Sequence, residues 1–221
     1  MKRTKLSDRI LPTYTTGEEI FNMVSHILGS VLGIVATVLC PIFATDAYGV
    51  VGGVIFGVSL IILYTMSSIY HGLSPKLKAK KVFQVLDHCA IFLLIAGSYT
   101  PFALCPLREY NPATGWTIFG IIWGITILGI TLNAIDLKNF KIFSMICYLV
   151  MGWCIIVKAP LLPQLLGETG FALLLGGGIV YTLGAILYGF GKKCKYIHSM
   201  FHLSVFAASL LHFFCVLLYV V

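Results

Sequence analysis

VVGGVIFGVSLIILYTMSSIYH, residues 50–71, decides what kind of protein this is. The stretch contains no Asp, Glu, Lys or Arg. Wound as a helix it reaches about 33 Å, enough to cross a hydrocarbon core of roughly 30 Å. It closes on Ser67 and His71, four residues apart and therefore on one helical face.

Six further apolar runs of similar length lie near 23–43, 83–104, 115–135, 141–158, 169–190 and 199–221. The chain as a whole is 59% hydrophobic and only 10% charged, against about 25% charged for soluble domains. These numbers predict an all-α integral membrane protein, a seven-transmembrane-helix bundle forming a single domain over 1–221, with 1–22 as a cytoplasmic N-terminal segment. Lys2, Arg3 and Lys5 ahead of the first run resemble a signal peptide. That run is too long for one and lacks a small-residue cleavage site, so it reads as a retained anchor.

The formal charge of +7 does not point to nucleic acid, because the basic residues fall in short clusters between apolar runs. The N-terminal tail carries Lys2, Arg3, Lys5 and Arg9; the second connection Lys76, Lys78, Lys80 and Lys81; the fourth Lys138 and Lys141; the sixth Lys192, Lys193 and Lys195. The alternate connections hold only Arg108 and Lys158. The positive-inside rule therefore predicts a cytoplasmic N-terminus, an outside C-terminus and a multi-pass protein of the inner (plasma) membrane. The seven cysteines form no CxxC and mostly sit in apolar runs, as small buried hydrophobes do. Gly29/Gly33, Gly53/Gly57 and Gly120/Gly124 have the GxxxG spacing that lets helices approach closely, though the same spacing arises by chance on lipid-facing surfaces.

With that topology the polar residues of the runs gather at one depth. The first helix enters with Glu19, Asn22, Ser25 and His26; the second ends on Ser67 and His71; the third starts with Asp87 and His88; the seventh starts with His198 and His202. Five of the six histidines thus occupy the cytoplasmic third of four helices. Ionisable groups in a membrane are costly and mark function by default.

The pair His198 and His202, four apart, offers two ligands on one face, and His71 at matching depth is the third. Zinc takes imidazole readily, and a catalytic zinc typically keeps three protein ligands and one open position. Convergence on one ion asks the ring nitrogens to lie within about 4 Å of one another. Asp87 then reads as an outer-sphere partner or general base, with Ser67 beside the ligand or the substrate. Glu19, Asn22 and His26 read either as the layer behind the ligands or as a polar network tying the first helix to the bundle. His88 points about 100° away from Asp87 and reads as structural, and His212 as a hydrogen-bonded packing residue.

The motifs E-x-x-N-x-x-S-H (Glu19 to His26), S-x-x-x-H (Ser67 to His71), D-H (Asp87-His88) and H-x-x-x-H (His198 to His202), in this order on seven helices, resemble the bacterial hemolysin III family. That family is similar to the progestin and adipoQ receptors and, more distantly, to the alkaline ceramidases. The resemblance implies zinc held by His71, His198 and His202, with Asp87 reaching it through water and Ser67 close by. Two functions follow as expectations. One is a zinc-dependent hydrolase of lipid amide or ester bonds, with a cavity open to the cytoplasm and an apolar extension between helices. The other is a non-enzymatic regulator or sensor of membrane lipid fluidity. A pore-forming cytolysin, as the family name suggests, has less behind it, because there is no secretion signal and no polar stripe that would line a channel. In each case the partner is membrane lipid; nothing in the sequence sets the oligomeric state.

Overall fold

Thr15 and Glu18 start the first helix. Glu18 N–H donates to Thr15 Oγ1 at 3.3 Å while Thr15 N–H donates to Glu18 Oε2 at 2.8 Å, a reciprocal cap that satisfies donors the first turn leaves open. The computed structural model describes residues 3–190 and 194–221. Lys2, Lys192 and Lys193, counted above as topology signals, lie outside the described residues.

Among the described residues, seven helices are long and apolar enough to cross a membrane: α1 (Thr16–Phe43), α2 (Ala47–Gly72), α3 (Lys78–Tyr110), α4 (Pro112–Asp136), α5 (Lys141–Lys158), α6 (Leu162–Phe190) and α7 (Ile197–Tyr219). Among the described residues there is no strand. Each helix contains or overlaps one of the seven runs, and the protein is an all-α, multi-pass membrane protein.

Where the boundaries differ from the runs, the reasons are local. The capping pair places the start of α1 at Thr16, inside the segment assigned to residues 1–22. α3 continues to Tyr110 through a π-turn at Ala103–Leu107, whose wider winding takes in Pro106, a residue with no N–H to give. α6 opens at Leu162 but breaks at Gly167, with φ 69° and ψ 165°, a conformation costly for any residue with a Cβ. The unbroken part of α6 therefore starts close to where the apolar run was placed. α5 matches its run and ends as a 3₁₀ turn over Cys154–Lys158.

Lipid offers no hydrophobic drive for helices to associate, so packing depends on close approach and polar contacts. α1 shows both faces of that rule. Ile27, Val31, Ile34, Val38 and Ile42, spaced three or four apart, are exposed, while Asn22, His26, Gly29, Gly33, Ala36 and Cys40 are buried. The apolar side thus faces outward and the small and polar side inward. A Cβ on Gly33 would stand 2.8 Å from the Ile61 backbone nitrogen, and one on Gly57 would overlap the Thr37 backbone. Two of the three GxxxG pairs therefore form the α1–α2 seam. Gly120 and Gly124 have open space around them instead.

α3 is the central helix: 78% of its most apolar stretch is buried, against 17% for α5. α2 packs on α1 and α3, α4 on α3, and α6 on α7, and α7 closes against α1. Tyr64 on α2 donates its hydroxyl to Ser209 Oγ on α7 at 2.7 Å, bridging the two helices that carry the histidines of interest.

Candidate metal centre

Four helix ends meet at the N-terminal end of the bundle: the starts of α1, α3 and α7 and the end of α2. Glu18 fastens two of them. Besides capping α1, it accepts the Tyr196 N–H through Oε1 at 2.8 Å, and Tyr196 holds a left-handed conformation, φ 61°, immediately ahead of α7. The first turn of α7, which carries His198, is thereby fixed to the first turn of α1.

His71 and His202 are 2% exposed and His198 9%, so all three rings are removed from bulk water. One ligand atom from each lies within 4.8 Å of the others, and this cluster can hold a metal ion. The spread exceeds the roughly 4 Å asked for above, although His198 Nε2 and His202 Nε2 are only 3.0 Å apart.

His71 is the best defined of the three. Its Nδ1–H donates to Glu19 Oε2 at 2.6 Å, which leaves Nε2 with the lone pair, and Nε2 is buried with no protein partner. The Asn22 amide nitrogen also lies 3.5 Å from Nδ1. With the Nδ1 proton already given to Glu19, Asn22 is a neighbour of that atom rather than a donor to it. His202 Nδ1 is 2.6 Å from His26 Nε2, so His26 backs the second ligand much as Glu19 backs the first.

Five buried polar atoms on these helix ends have no protein partner: Asn22 Oδ1, His26 Nδ1, Ser67 Oγ, His71 Nε2 and Ser199 Oγ. Each such group costs about 1–3 kcal/mol when unsatisfied. Their concentration here is what a polar occupant would relieve.

Asp87 stands beside His88, 3.8 Å from oxygen to nitrogen, with its side chain 15% exposed. No direct bond joins it to the three imidazoles among those described. His88 donates Nδ1–H to the Gln84 carbonyl at 2.8 Å and accepts from the Tyr188 hydroxyl at 3.3 Å. His212 lies well along α7 from the cluster and donates Nε2–H to the Leu174 carbonyl at 3.2 Å.

Two participants were not read from the sequence. Tyr14, just ahead of α1, stacks on His198 with ring centroids 4.8 Å apart and planes 17° apart, and meets His71 at 5.7 Å. Burial pushes its phenol well above the ordinary range, and Tyr188, Glu19, Asp87 and Glu18 push the same way. Tyr14 and Glu19 also line a cavity of about 300 Å³, together with Leu11, Pro12, Thr13, Pro75 and Lys81. Lys80, counted above as a loop residue, is on α3, 1% exposed, with Nζ 2.6 Å from Glu19 Oε1. The spacing of Lys80, Gln84 and Asp87, i, i+4 and i+7, was the available signal that it shares a face with buried groups.

A family model described as "Haemolysin-III related" matches residues 14–213, which takes in every residue of this centre. The chain belongs to that family. Among haemolysin-III relatives it is 43% identical to "Hemolysin-3" of Bacillus cereus over 207 residues, covering 92% of each chain. It is 40% identical to "Hemolysin-3 homolog" of Bacillus subtilis (strain 168) over 211 residues, covering 94% of this chain and 97% of the relative. A more distant similarity, 25% over 209 residues, links it to human "Monocyte to macrophage differentiation factor", covering 91% and 84% of the two chains.

Proposed function

We propose that His71, His198 and His202 hold a zinc ion, and that the centre hydrolyses an amide or ester bond of a membrane lipid. The observation that carries the reading is the His71 ring. Its Nδ1 is tied to Glu19 and its Nε2 is buried and free, beside a histidine pair whose Nε2 atoms are 3.0 Å apart. A carboxylate behind an imidazole with the other nitrogen free is the usual way a protein orients a metal ligand. Three imidazoles suit zinc better than the hard, oxygen-seeking cations.

When bound, zinc supplies Lewis acidity that polarises a carbonyl and lowers the pKa of water toward about 7. The chain's own residues do the rest. Asp87 takes the proton of the attacking water and returns it to the departing amine or alcohol, so that water and amide (or ester) become acid and amine (or alcohol). Ser67, one turn before His71, offers its unpartnered hydroxyl to the developing oxyanion. Tyr14 keeps bulk water off the histidines. The protein works in the plasma membrane with its N-terminus in the cytoplasm, as the distribution of Lys and Arg implies.

The closure of the centre favours a second reading, in which zinc braces the bundle and the protein regulates or senses lipid fluidity. The cavity beside the site has Tyr14 and Glu19 in its wall but none of the three histidines, and an apolar cavity of about 40 Å³ is lined by Tyr99, Trp153, Phe171 and His212 among others, away from the cluster. Neither is an apolar channel reaching the imidazoles. The pore reading that the relatives' name suggests has less support, because Phe56, Leu60, Leu63, Phe92 and Leu94 fill the middle of the bundle.

The test is reconstituted protein with bound zinc, offered ceramide, acyl-amide and lysolipid panels while free fatty acid is measured. For a hydrolase, Asp87→Asn keeps the metal and loses about 10²–10⁴-fold in rate, and His202→Ala loses both. Wild-type protein that retains zinc yet releases no fatty acid from any panel overturns the hydrolase. A fluidity phenotype spared in Asp87→Asn and lost in His202→Ala would then favour the regulator.

A further inference from the structure

A lysine buried in the membrane end of a helix bundle needs a reason, and Lys80 has three partners. Its ammonium donates to Glu19 Oε1 at 2.6 Å, to the Leu73 carbonyl at 2.9 Å and to the His71 carbonyl at 3.4 Å. It also lies 5.1 Å from the centroid of the Tyr70 ring. Two of those partners are carbonyls at the C-terminal end of α2, where a helix leaves acceptors open and its dipole favours a cation. The third is the carboxylate whose other oxygen accepts the His71 Nδ1–H.

From this arrangement we infer that Lys80 is a positioning residue for the metal centre: with one end of Glu19 fixed by Lys80, the other end holds the His71 ring in the tautomer and orientation that aim Nε2 at the His198–His202 pair. The inference rests on the zinc reading above. It goes further by assigning a function to a residue on α3, a helix that supplies no ligand to the cluster.

The geometry argues for positioning over simple charge balance. A carboxylate with one partner can rotate about its terminal torsion, and that torsion is broad. With its two oxygens held from different helices, Oε1 by α3 and Oε2 by α2, rotation breaks one of two short charge-assisted bonds. The same ammonium grips the α2 backbone at His71 itself. The ring and the peptide group of one ligand are therefore referred to a single cation, and an error in either is resisted by both.

The experiment measures zinc affinity of the full chain in detergent or nanodiscs by competition with a chromogenic chelator, together with the visible spectrum of the cobalt-substituted protein. Wild type and His202→Ala come first: if wild type binds no zinc more tightly than His202→Ala, the parent reading fails and the Lys80 assignment falls with it. Given binding, Lys80→Met is expected to weaken zinc by about 10–100-fold, the range for partners behind metal ligands, and to shift the cobalt d–d bands. Lys80→Arg, which keeps the charge and the donors, should recover most of the affinity. Glu19→Gln, which spares the bonds from Lys80 to the α2 carbonyls, should weaken zinc to a similar extent, and the double variant should be little worse than either single one.

A Lys80→Met protein that melts earlier yet binds zinc and cobalt as wild type does would overturn the inference, leaving Lys80 as a helix cap. If Lys80→Met does not fold, Lys80→Arg and Glu19→Gln carry the test. An unchanged affinity and cobalt spectrum in Glu19→Gln would overturn it equally.

Discussion

His202 leans on a second imidazole, that of His26. Its Nδ1 meets His26 Nε2 at 2.6 Å, and the His26 ring is itself wedged edge-on against Tyr64, with centroids 4.9 Å apart. Replacing His26 by Leu keeps much of the bulk and removes the hydrogen-bond partner, so the His202 ring loses its orientation. Zinc affinity, read by chelator competition, should fall about tenfold, with little change in helix content by circular dichroism. At this scale the sequence disclosed the three imidazoles, since i, i+4 spacing and matched depth require nothing beyond the topology. It could not disclose what stands behind them: whether His26, Asn22 or Glu19 faces a ligand depends on the rotation of α1, and only Glu19 and His26 make the short contacts. Lys80 escaped because a lysine at the edge of an apolar run has the composition of a loop. Burial reverses that meaning, and burial is a property of the assembled helices.

Helix seams obey a simpler rule. At Gly57 an added methyl group would meet Thr37 backbone, which no rotamer change can move, whereas at Gly120 it would meet nothing within 4 Å. Gly57→Ala is therefore expected to cost about 1–3 kcal/mol, and Gly120→Ala to be neutral or slightly stabilising. Thermal denaturation of the two purified variants in one detergent checks the contrast. Equal behaviour would mean that α1 and α2 do not approach as described. The sequence presents Gly53/Gly57 and Gly120/Gly124 identically, and only the partner helix distinguishes them. The seven spans themselves were legible from hydropathy, because a bilayer demands about twenty apolar residues in a row. Their ends were less so: α1 starts early on a Thr-x-x-Glu signal that hydropathy overlooks, and α6 is broken at Gly167 within a continuously apolar neighbourhood.

At the scale of the molecule, the cluster joins α2 to α7, elements far apart in the chain. On the proposed zinc reading, metal held there would stabilise the whole bundle by mass action, since a chain with those helices separated has no site. At a free zinc concentration a hundred times its dissociation constant, removal by a chelator should lower the melting temperature by about 5–10 °C. His202→Ala protein should show no such response. Orientation is a second property of the whole. A reporter that is active only outside the cytoplasm, fused at Val221, should be active, and one fused in the Ser74–Leu77 turn should be silent. The opposite pattern would contradict the distribution of basic residues.

The order in which the ligands emerge from the ribosome has its own consequence. His71 is made early and His198 and His202 last, with a delay on the order of ten seconds at ordinary rates of synthesis. During that interval the nascent chain displays only one of the three proposed ligands, too few to complete the site. On the proposed zinc reading, loading would wait until the last span is made, and a protein truncated ahead of its final segment would be inserted yet empty, so metal content would report whether the last span has been integrated.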